Sequence, residues 1–308
     1  MYNGILVLNK IYGAPSRACV TGVSRALGGR RQKVGHAGTL DTTASGALIL
    51  MLGFATRLSE AVMNLPKSYL AEVTFGWETS TDDASGEPLT EPIERAFDEK
   101  ALMGALPGFL GVRLQRPPRV SAVMVDGRRA HKIARAGAEP QIQPRPVDIT
   151  AIRYLGRTEK GTAKLLIDCH RGTYVRSLAR DIGRALGTGA HLSSLRRLSV
   201  GNFRADGGLT YNPQDPPPAE QLVSHIQPVS ALTPQYYSYD ASPFCEKRLA
   251  DGLCVYLDFM MRRSAGMVPV EKGIMALGEK YLCLGGLGAQ KGRAVLCPRV
   301  NIPTGVRL

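Results

Sequence analysis

Apolar residues fall into short, separated blocks along this chain, and their spacing sets the expected elements. Residues 4–8 (GILVL) form an apolar run of strand length. From Ser16 to Leu27, Cys19, Val20, Val23 and Leu27 share one side of a helix, with Ser16 as its cap. Ala47 to Leu52 (ALILML) is apolar throughout and fits either a central strand or the start of a buried helix. Residues 69–77 (YLAEVTFGW) alternate, with Leu70 out of step, and predict a strand. Thr79 to Pro92 is rich in Thr, Ser, Asp, Gly and Pro and predicts a loop. Asp98 caps a helix expected through Leu106, and residues 128–136 predict a basic helix. Val147 to Leu155 and Ala163 to Cys169 predict strands joined by a turn at residues 159–161. Thr173 to Leu186 predicts an amphipathic helix stopped by Gly187.

The pattern then changes. Residues 212–218 (NPQDPPP) cannot continue a helix or a central strand. A domain boundary is placed there or somewhat later, giving a large domain over 1–235 and a small one over 236–308. The later blocks VYLDFMM, GIMALG, YLCLGGLG and RAVLCPRV are short strands with glycine turns, as in a small β-barrel-like domain.

Composition narrows the class. The 308 residues are 44% hydrophobic and 21% charged, which suits a globular protein rather than a disordered one. Lys plus Arg number 39 against 26 Asp plus Glu, a formal charge of +13. A polyanionic partner is the first expectation, nucleic acid ahead of an anionic membrane surface, beside the plainer reading of a merely basic protein. The cysteines, at 19, 169, 245, 254, 283 and 297, show no C-x-x-C spacing and no nearby histidine pair, which argues against zinc. Scattered cysteines are expected as reduced thiols in a cytoplasmic protein. No stretch approaches the roughly 18 apolar residues of a membrane span.

Candidate chemistry concentrates in Gly35 to Gly46, GHAGTLDTTASG. Its glycines permit close approach of a ligand, and threonine and serine hydroxyls crowd one carboxylate, Asp41. A polar turn with Asp41 bonding its own backbone explains the same residues equally well. A P-loop does not, because no lysine follows the last glycine in the required pattern.

Together with five further segments in the same order, GHAGTLD followed by ASG resembles the catalytic motif of the TruB family, bacterial synthases that convert uridine 55 of the tRNA T-loop to pseudouridine. The other segments are NGILVLNK with Pro15-Ser16, KSYLAEVTFG, TDDASG, QRPPRVSAVMVDGRRAHKIARAG, and CHRGTYVRSLARDIGRALGTGAHLSSLRRLSVG. The resemblance spans about residues 3–205 and is specific in combination. It implies an α+β fold on a mixed, mostly antiparallel sheet flanked by helices (the pseudouridine synthase fold), with a small β-rich PUA-like RNA-binding domain at the C-terminus. It also implies a cofactor-free isomerase with no metal, acting on the T-arm of tRNA. No membrane, obligatory protein partner or guide RNA is expected, and a monomer is.

By the same resemblance Asp41 is the essential carboxylate, whether it attacks ribose C1′, attacks the ring, or starts an elimination through a glycal. Arg176 is the cation that keeps it ionised, since burial alone would favour its protonation. Taken without the family, Arg176 reads as a solvated helix residue. Tyr69 matches a tyrosine that stacks on the target base and can move a proton at the sugar; its plain alternative is a strand tyrosine with a buried ring. Tyr174 and Leu195 match residues that hold uracil, Leu195 being equally a core leucine. His36 matches the histidine that fills the place of the flipped nucleotide, or is a surface loop residue. Lys10 has either a structural role under the loop or a phosphate contact. Asp83 matches an acidic residue of the family's active-site polar network. As a cluster, Arg30, Arg31, Lys33, Arg113, Arg116, Arg119, Arg128, Arg129, Lys132, Arg135, Arg196 and Arg197 are expected to face RNA, with affinity falling steeply in salt, while any one of them alone reads as solvated surface.

The chain departs from the family pattern at Thr42 and Ile11, where proline is usual, and at Val120 and Met124, where tyrosine and lysine are usual. These changes leave Asp41, Tyr69, Tyr174 and Arg176 untouched but bear on efficiency and on the preferred RNA. Two rival classes remain: an RNA chaperone that folds the tRNA elbow, and a synthase for another RNA working with partner proteins, as box H/ACA enzymes do.

Overall fold

The computed structural model describes residues 1–91, 97–159 and 161–306. Pro92, in the loop expected over 79–92, and Lys160, in the expected turn, lie outside the described residues. The chain divides into two compact units, Met1–Leu65 with Ser199–Leu308, and Pro66–Leu198.

The first unit begins with β1 (Gly4–Lys10), α1 (Ser16–Ala26), β2 (Val34–His36), β3 (Ala44–Leu52) and α2 (Ser59–Met63). The ambiguous run ALILML is thus a strand. It lies antiparallel to β1, from Gly4 opposite Leu52 to Lys10 opposite Gly46. β1 and β3 are buried along almost their whole length, so both faces need apolar side chains and neither shows alternation. Ser16 is not the cap of α1. Pro15 holds that position without a side-chain bond, and Ser16 is the first helical residue. Its hydroxyl is drawn away by a tertiary partner, described below.

The second unit contains β4 (Lys67–Phe75), α3 (Glu99–Ala105), β5 (Gly111–Gln115), β6 (Met124–Val125), β7 (Arg128–Arg129), α4 (Ala130–Arg135), β8 (Arg145–Glu159), β9 (Thr162–Cys169), α5 (Val175–Ala185) and β10 (Ala190–Val200). Strand order is β10-β4-β9-β8-β5, with antiparallel pairs β4–β9, β8–β9 and β5–β8. β4 alternates strictly, burying Lys67, Tyr69, Ala71, Val73 and Phe75. Asp98 caps α3 as expected, accepting from the backbone N–H groups of Lys100 and Ala101 at 2.8 and 3.3 Å. The basic helix expected from 128 is shorter. Asp126 and Gly127, at φ 46° and 75°, form a tight hairpin turn that takes Arg128 and Arg129 into β7. After α5, Gly187 at φ 68° and the bond from Thr188 N to Gly183 O (3.0 Å) end the helix.

The rest of the chain belongs to the first unit. It adds β11 (Phe203–Arg204), β12 (Leu209–Tyr211), α6 (Ala219–Ser224) and β13 (Ile226–Gln227). β12 runs parallel to β1 and β13 antiparallel to it, which makes the sheet mixed. The C-terminal stretch follows with β14 (Tyr237–Asp240), α7 (Pro243–Ala250), β15 (Val255–Tyr256), β16 (Met261–Ala265), β17 (Ile274–Leu277), β18 (Tyr281–Gln290) and β19 (Arg293–Pro303). These six strands form a sheet in the order β15-β19-β18-β17-β14-β16. Its two edge strands are joined directly through residues 257–260. Laid flat, six strands would put their edges roughly 24 Å apart at about 4.8 Å per spacing. The five Cα-to-Cα steps from Tyr256 to Met261 span at most roughly 18 Å. The sheet must therefore curl on itself, which is the barrel-like form expected from its short strands.

The cysteines differ from expectation. Cys254 and Cys297 form a disulfide, while Cys19, Cys169, Cys245 and Cys283 are free and buried. Val255 pairs with Leu296 across β15 and β19, so the same antiparallel register sets Cys254 opposite Cys297. Spacing along the chain carries no sign of this pairing, because 43 residues separate the two.

Candidate active site

The first unit holds the loop with Asp41. β2 ends at His36, which is half-buried opposite Leu50 of β3, and β3 resumes at Ala44. Backbone bonds tie down the seven residues between. Ala37 N donates to Ile49 O at 2.9 Å, and Ala44 N to Asp41 O at 3.1 Å. The Ser16 hydroxyl donates to Leu40 O at 2.6 Å and accepts from Leu40 N at 3.1 Å, so it satisfies the whole peptide group of the residue before Asp41. Gly13 N donates to Thr42 O at 2.9 Å, which fixes the residue after it. Gly38 takes φ 104°, a conformation that other residues resist.

Lys10 lies beneath this arrangement with no exposed surface. Its ammonium donates to Ala14 O at 2.7 Å and Ile11 O at 3.0 Å, closing the turn that carries Gly13. Asp41 itself is half-buried, between buried Leu40 and exposed Thr42.

The second unit holds Tyr69, Tyr174, Arg176 and Leu195. Tyr69 lies on the buried face of β4, 8% exposed, and Leu195 on the neighbouring β10, 9% exposed. Tyr174 caps α5 from just outside its first turn and packs against Val123, Ala130 and Ile142. The Gln115 side chain clasps its backbone, accepting from Tyr174 N at 2.8 Å and donating to Tyr174 O at 3.1 Å.

Arg176 is not solvated, although it is the second residue of a helix; only 7% of it is exposed. Its Nη1 donates to Thr81 O at 3.2 Å and stands 3.5 Å from Asp83 Oδ2, and its Nη2 donates to Val120 O at 3.2 Å. The other carboxylate oxygen of Asp83 accepts from Thr81 Oγ1 (2.7 Å), Ser85 N (3.0 Å) and Ser85 Oγ. Asp83 is thereby locked in the loop and presents one free edge to the guanidinium. A buried charge paired in this way loses several kcal/mol, about 3–5, when one partner is removed.

Two neighbouring cations behave differently from expectation or from their usual state. Arg197 was expected to face RNA, yet it is 1% exposed. Strand periodicity explains the correction: Leu195 and Arg197 point to the buried side of β10, and Arg196 lies between them on the other. Lys67 shares the buried face of β4 with Tyr69, and burial first, then Arg197, lowers its ammonium to about 8. The remaining expected RNA contacts are mostly exposed, among them Arg30, Arg31, Lys33, Arg116, Arg128 and Arg129.

Ser16 and Gln115 lie in segments that resemble the family but carry no expected site role, because each works by a tertiary bond to a distant backbone group that spacing along the chain does not show. Among the described residues no group of three or more His, Cys, Asp or Glu side chains is arranged to hold a metal ion. No helix among them is long and apolar enough to cross a membrane.

Comparison with known proteins gives the family. Residues 25–175 match the model of the TruB family pseudouridylate synthase N-terminal domain, and residues 176–232 that of the tRNA pseudouridylate synthase B C-terminal domain. The tRNA pseudouridine synthase B of Aromatoleum aromaticum is 36% identical over 304 residues, 98% of this chain and 93% of that protein. The protein of the same name from Solibacter usitatus is 38% identical over 251 residues, 81% of this chain and 85% of that one. Among solved structures, a chain of a Cbf5-Nop10-Gar1 complex superposes with a TM-score of 0.72 at 24% identity, covering 98% of this chain and 86% of that one. That likeness concerns the fold.

Proposed function

The chain belongs to the TruB family of pseudouridylate synthases, and from that premise we propose that it isomerises the T-loop uridine of tRNA, position 55, to pseudouridine. The observation that supports the reading best is the backbone-clamped loop that presents Asp41. Three separate tertiary bonds, from Ser16 and Gly13, hold the residues on either side of it. A polar turn without a task has no need of such restraint.

The proposed reaction breaks the bond from uracil N1 to ribose C1′, turns the base in the pocket, and joins C5 to the same carbon. The proton leaves C5 and N1 gains one, so substrate and product are isomers and no cofactor is consumed. Asp41 acts as the nucleophile or its equivalent, and by the family resemblance Arg176 is the cation that keeps it charged. Tyr69 stacks on the base and serves proton transfer, while Tyr174 and Leu195 hold uracil. His36 fills the space the flipped nucleotide leaves. The exposed arginines neutralise phosphates of the T-arm, and residues 236–308 serve as a small RNA-binding domain. The enzyme works as a cytoplasmic monomer on naked tRNA, with no guide RNA or partner protein.

The test is incubation with an unmodified tRNA transcript and mapping of pseudouridine at single-nucleotide resolution, with Asp41→Asn in parallel. The expected result is signal at the T-loop uridine that drops by more than about 10³-fold in the variant, with RNA binding intact. Full turnover by Asp41→Asn overturns the mechanism. Binding without conversion by the wild type leaves the chaperone reading instead.

A further inference from the structure

α5 carries Arg176, Arg180 and Arg184 four residues apart, so one face of the helix presents three guanidiniums in a row. Each meets a carboxylate from residues 78–83. Arg176 faces Asp83 at 3.5 Å, Arg180 Nη1 donates to Asp82 Oδ2 at 2.6 Å, and Arg184 clasps Glu78 with bonds of 2.6 and 2.7 Å. The outer rung is exposed at its arginine. The middle rung is enclosed, its two side chains 10% and 11% exposed. Arg180 also donates to Asp181 Oδ1 at 3.0 Å and to Arg116 O at 3.0 Å, which anchors the guanidinium from three directions.

Asp82 sits at the turning point of the loop. Its backbone is left-handed, φ 61°, a conformation that a residue with a side chain resists. Its N–H donates to Thr79 O at 3.2 Å, and its carbonyl accepts from Leu192 N at 3.0 Å. The residues on either side, Thr81 and Asp83, supply a carbonyl and a carboxylate to Arg176. The Asp82 turn therefore decides where both of those groups stand, and the bond to Arg180 holds the turn.

We propose that the Asp82–Arg180 ion pair is a positioning pair for the isomerisation, holding residues 81–83 in the one conformation that aims the Arg176 guanidinium. It acts through Arg176 and not on the RNA. The inference rests on the role given to Arg176 above.

Asp82→Asn is the informative variant. Asparagine keeps the shape and tolerates a left-handed backbone, so the substitution removes the charge and leaves the turn allowed. With saturating tRNA, the single-turnover rate of Asp82→Asn is expected to fall about 10-fold to 100-fold, and the RNA dissociation constant to change less than about 2-fold. A purely structural pair would lower thermal stability and leave that rate alone at temperatures where the variant is folded. Should Asp82→Asn fail to fold around a buried Arg180, the double variant Asp82→Asn/Arg180→Gln removes both charges and carries the same expectation. Rescue is expected to be absent in the double variant, because the pair acts as a unit and its rate matches that of the worse single variant. A wild-type rate in either folded variant overturns the proposal, as does a loss of RNA affinity equal to the loss of rate. Absence of conversion by the wild type strikes at the proposed reaction instead, so the two failures are distinct.

Discussion

The backbone beside Asp41 and the guanidinium of Arg176 are held by different kinds of bond. The Asp41 loop is fixed by neutral bonds to its backbone, from the Ser16 hydroxyl and from the Gly13 amide. Arg176 is fixed by charge, through Asp83 and the two further arginine–carboxylate rungs along α5. The bonds beside Asp41 hold the peptide groups of its neighbours Leu40 and Thr42. The bonds at Arg176 hold the side chain itself, whose five donors serve several partners at once.

The largest effect that sharpens this contrast is expected at Ser16. Ser16→Ala leaves the N–H and C=O of buried Leu40 without their partner, a cost of about 1–3 kcal/mol for each unsatisfied group. Thermal unfolding should show the lost stability, and the isomerisation rate should fall about 10-fold or more as the Asp41 loop loosens. An unchanged rate would mean that the glycine geometry alone positions Asp41. Neither effect should depend on salt, since no charge is altered.

A smaller effect is expected at Gln115. Gln115→Leu unties the Tyr174 peptide but keeps the volume of the buried side chain. The apparent KM for RNA should rise a few-fold, with kcat nearly kept, because Tyr174 is assigned to holding the base. Loss of kcat at constant KM would transfer the effect to Arg176, two residues on.

The smallest effect is one of pH. Burial raises the Asp82 carboxyl above its ordinary 3.8, while Arg180, Arg176 and Arg184 oppose the rise and Asp181 adds to it. The folded protein therefore holds this proton more tightly than the unfolded chain does. On this group's account stability increases as pH falls through the raised pKa, and decreases as pH rises through it. Activity should move the other way, because protonation breaks the middle rung. Rate profiles from pH 7 downward should decline earlier in the wild type than in Asp82→Asn, whose rung is already lost. Coincident normalised profiles would remove Asp82 from the acid limb.

Much of the fold was legible because its signals are local. The apolar run of β1, the near-alternation of β4, the Asp98 cap and the Gly187 stop each depend on residues within a turn or two, whereas the run in β3 left strand and helix open until its pairing with β1 was seen. The ladder on α5 also left a trace, three arginines at four-residue spacing, although its acidic partners lie about a hundred residues earlier. Ser16 shows the limit. Its place before an apolar helix reads as a cap, but a buried peptide at Leu40 competes for the hydroxyl and wins.

Most element types, the basic character of the chain and, through six motifs in order, the family resemblance on which the candidate residues rest can be read from the residues alone. Each of these is written in neighbouring side chains, where propensity, periodicity and charge act over a few residues. Tertiary structure alone decided that Arg197 turns inward, that Lys10 closes a turn, that Gln115 grips Tyr174, and that Cys254 meets Cys297. Those outcomes depend on strand register and on which distant backbone groups are left needing a partner. Burial makes such needs costly, and only the folded chain shows where they arise.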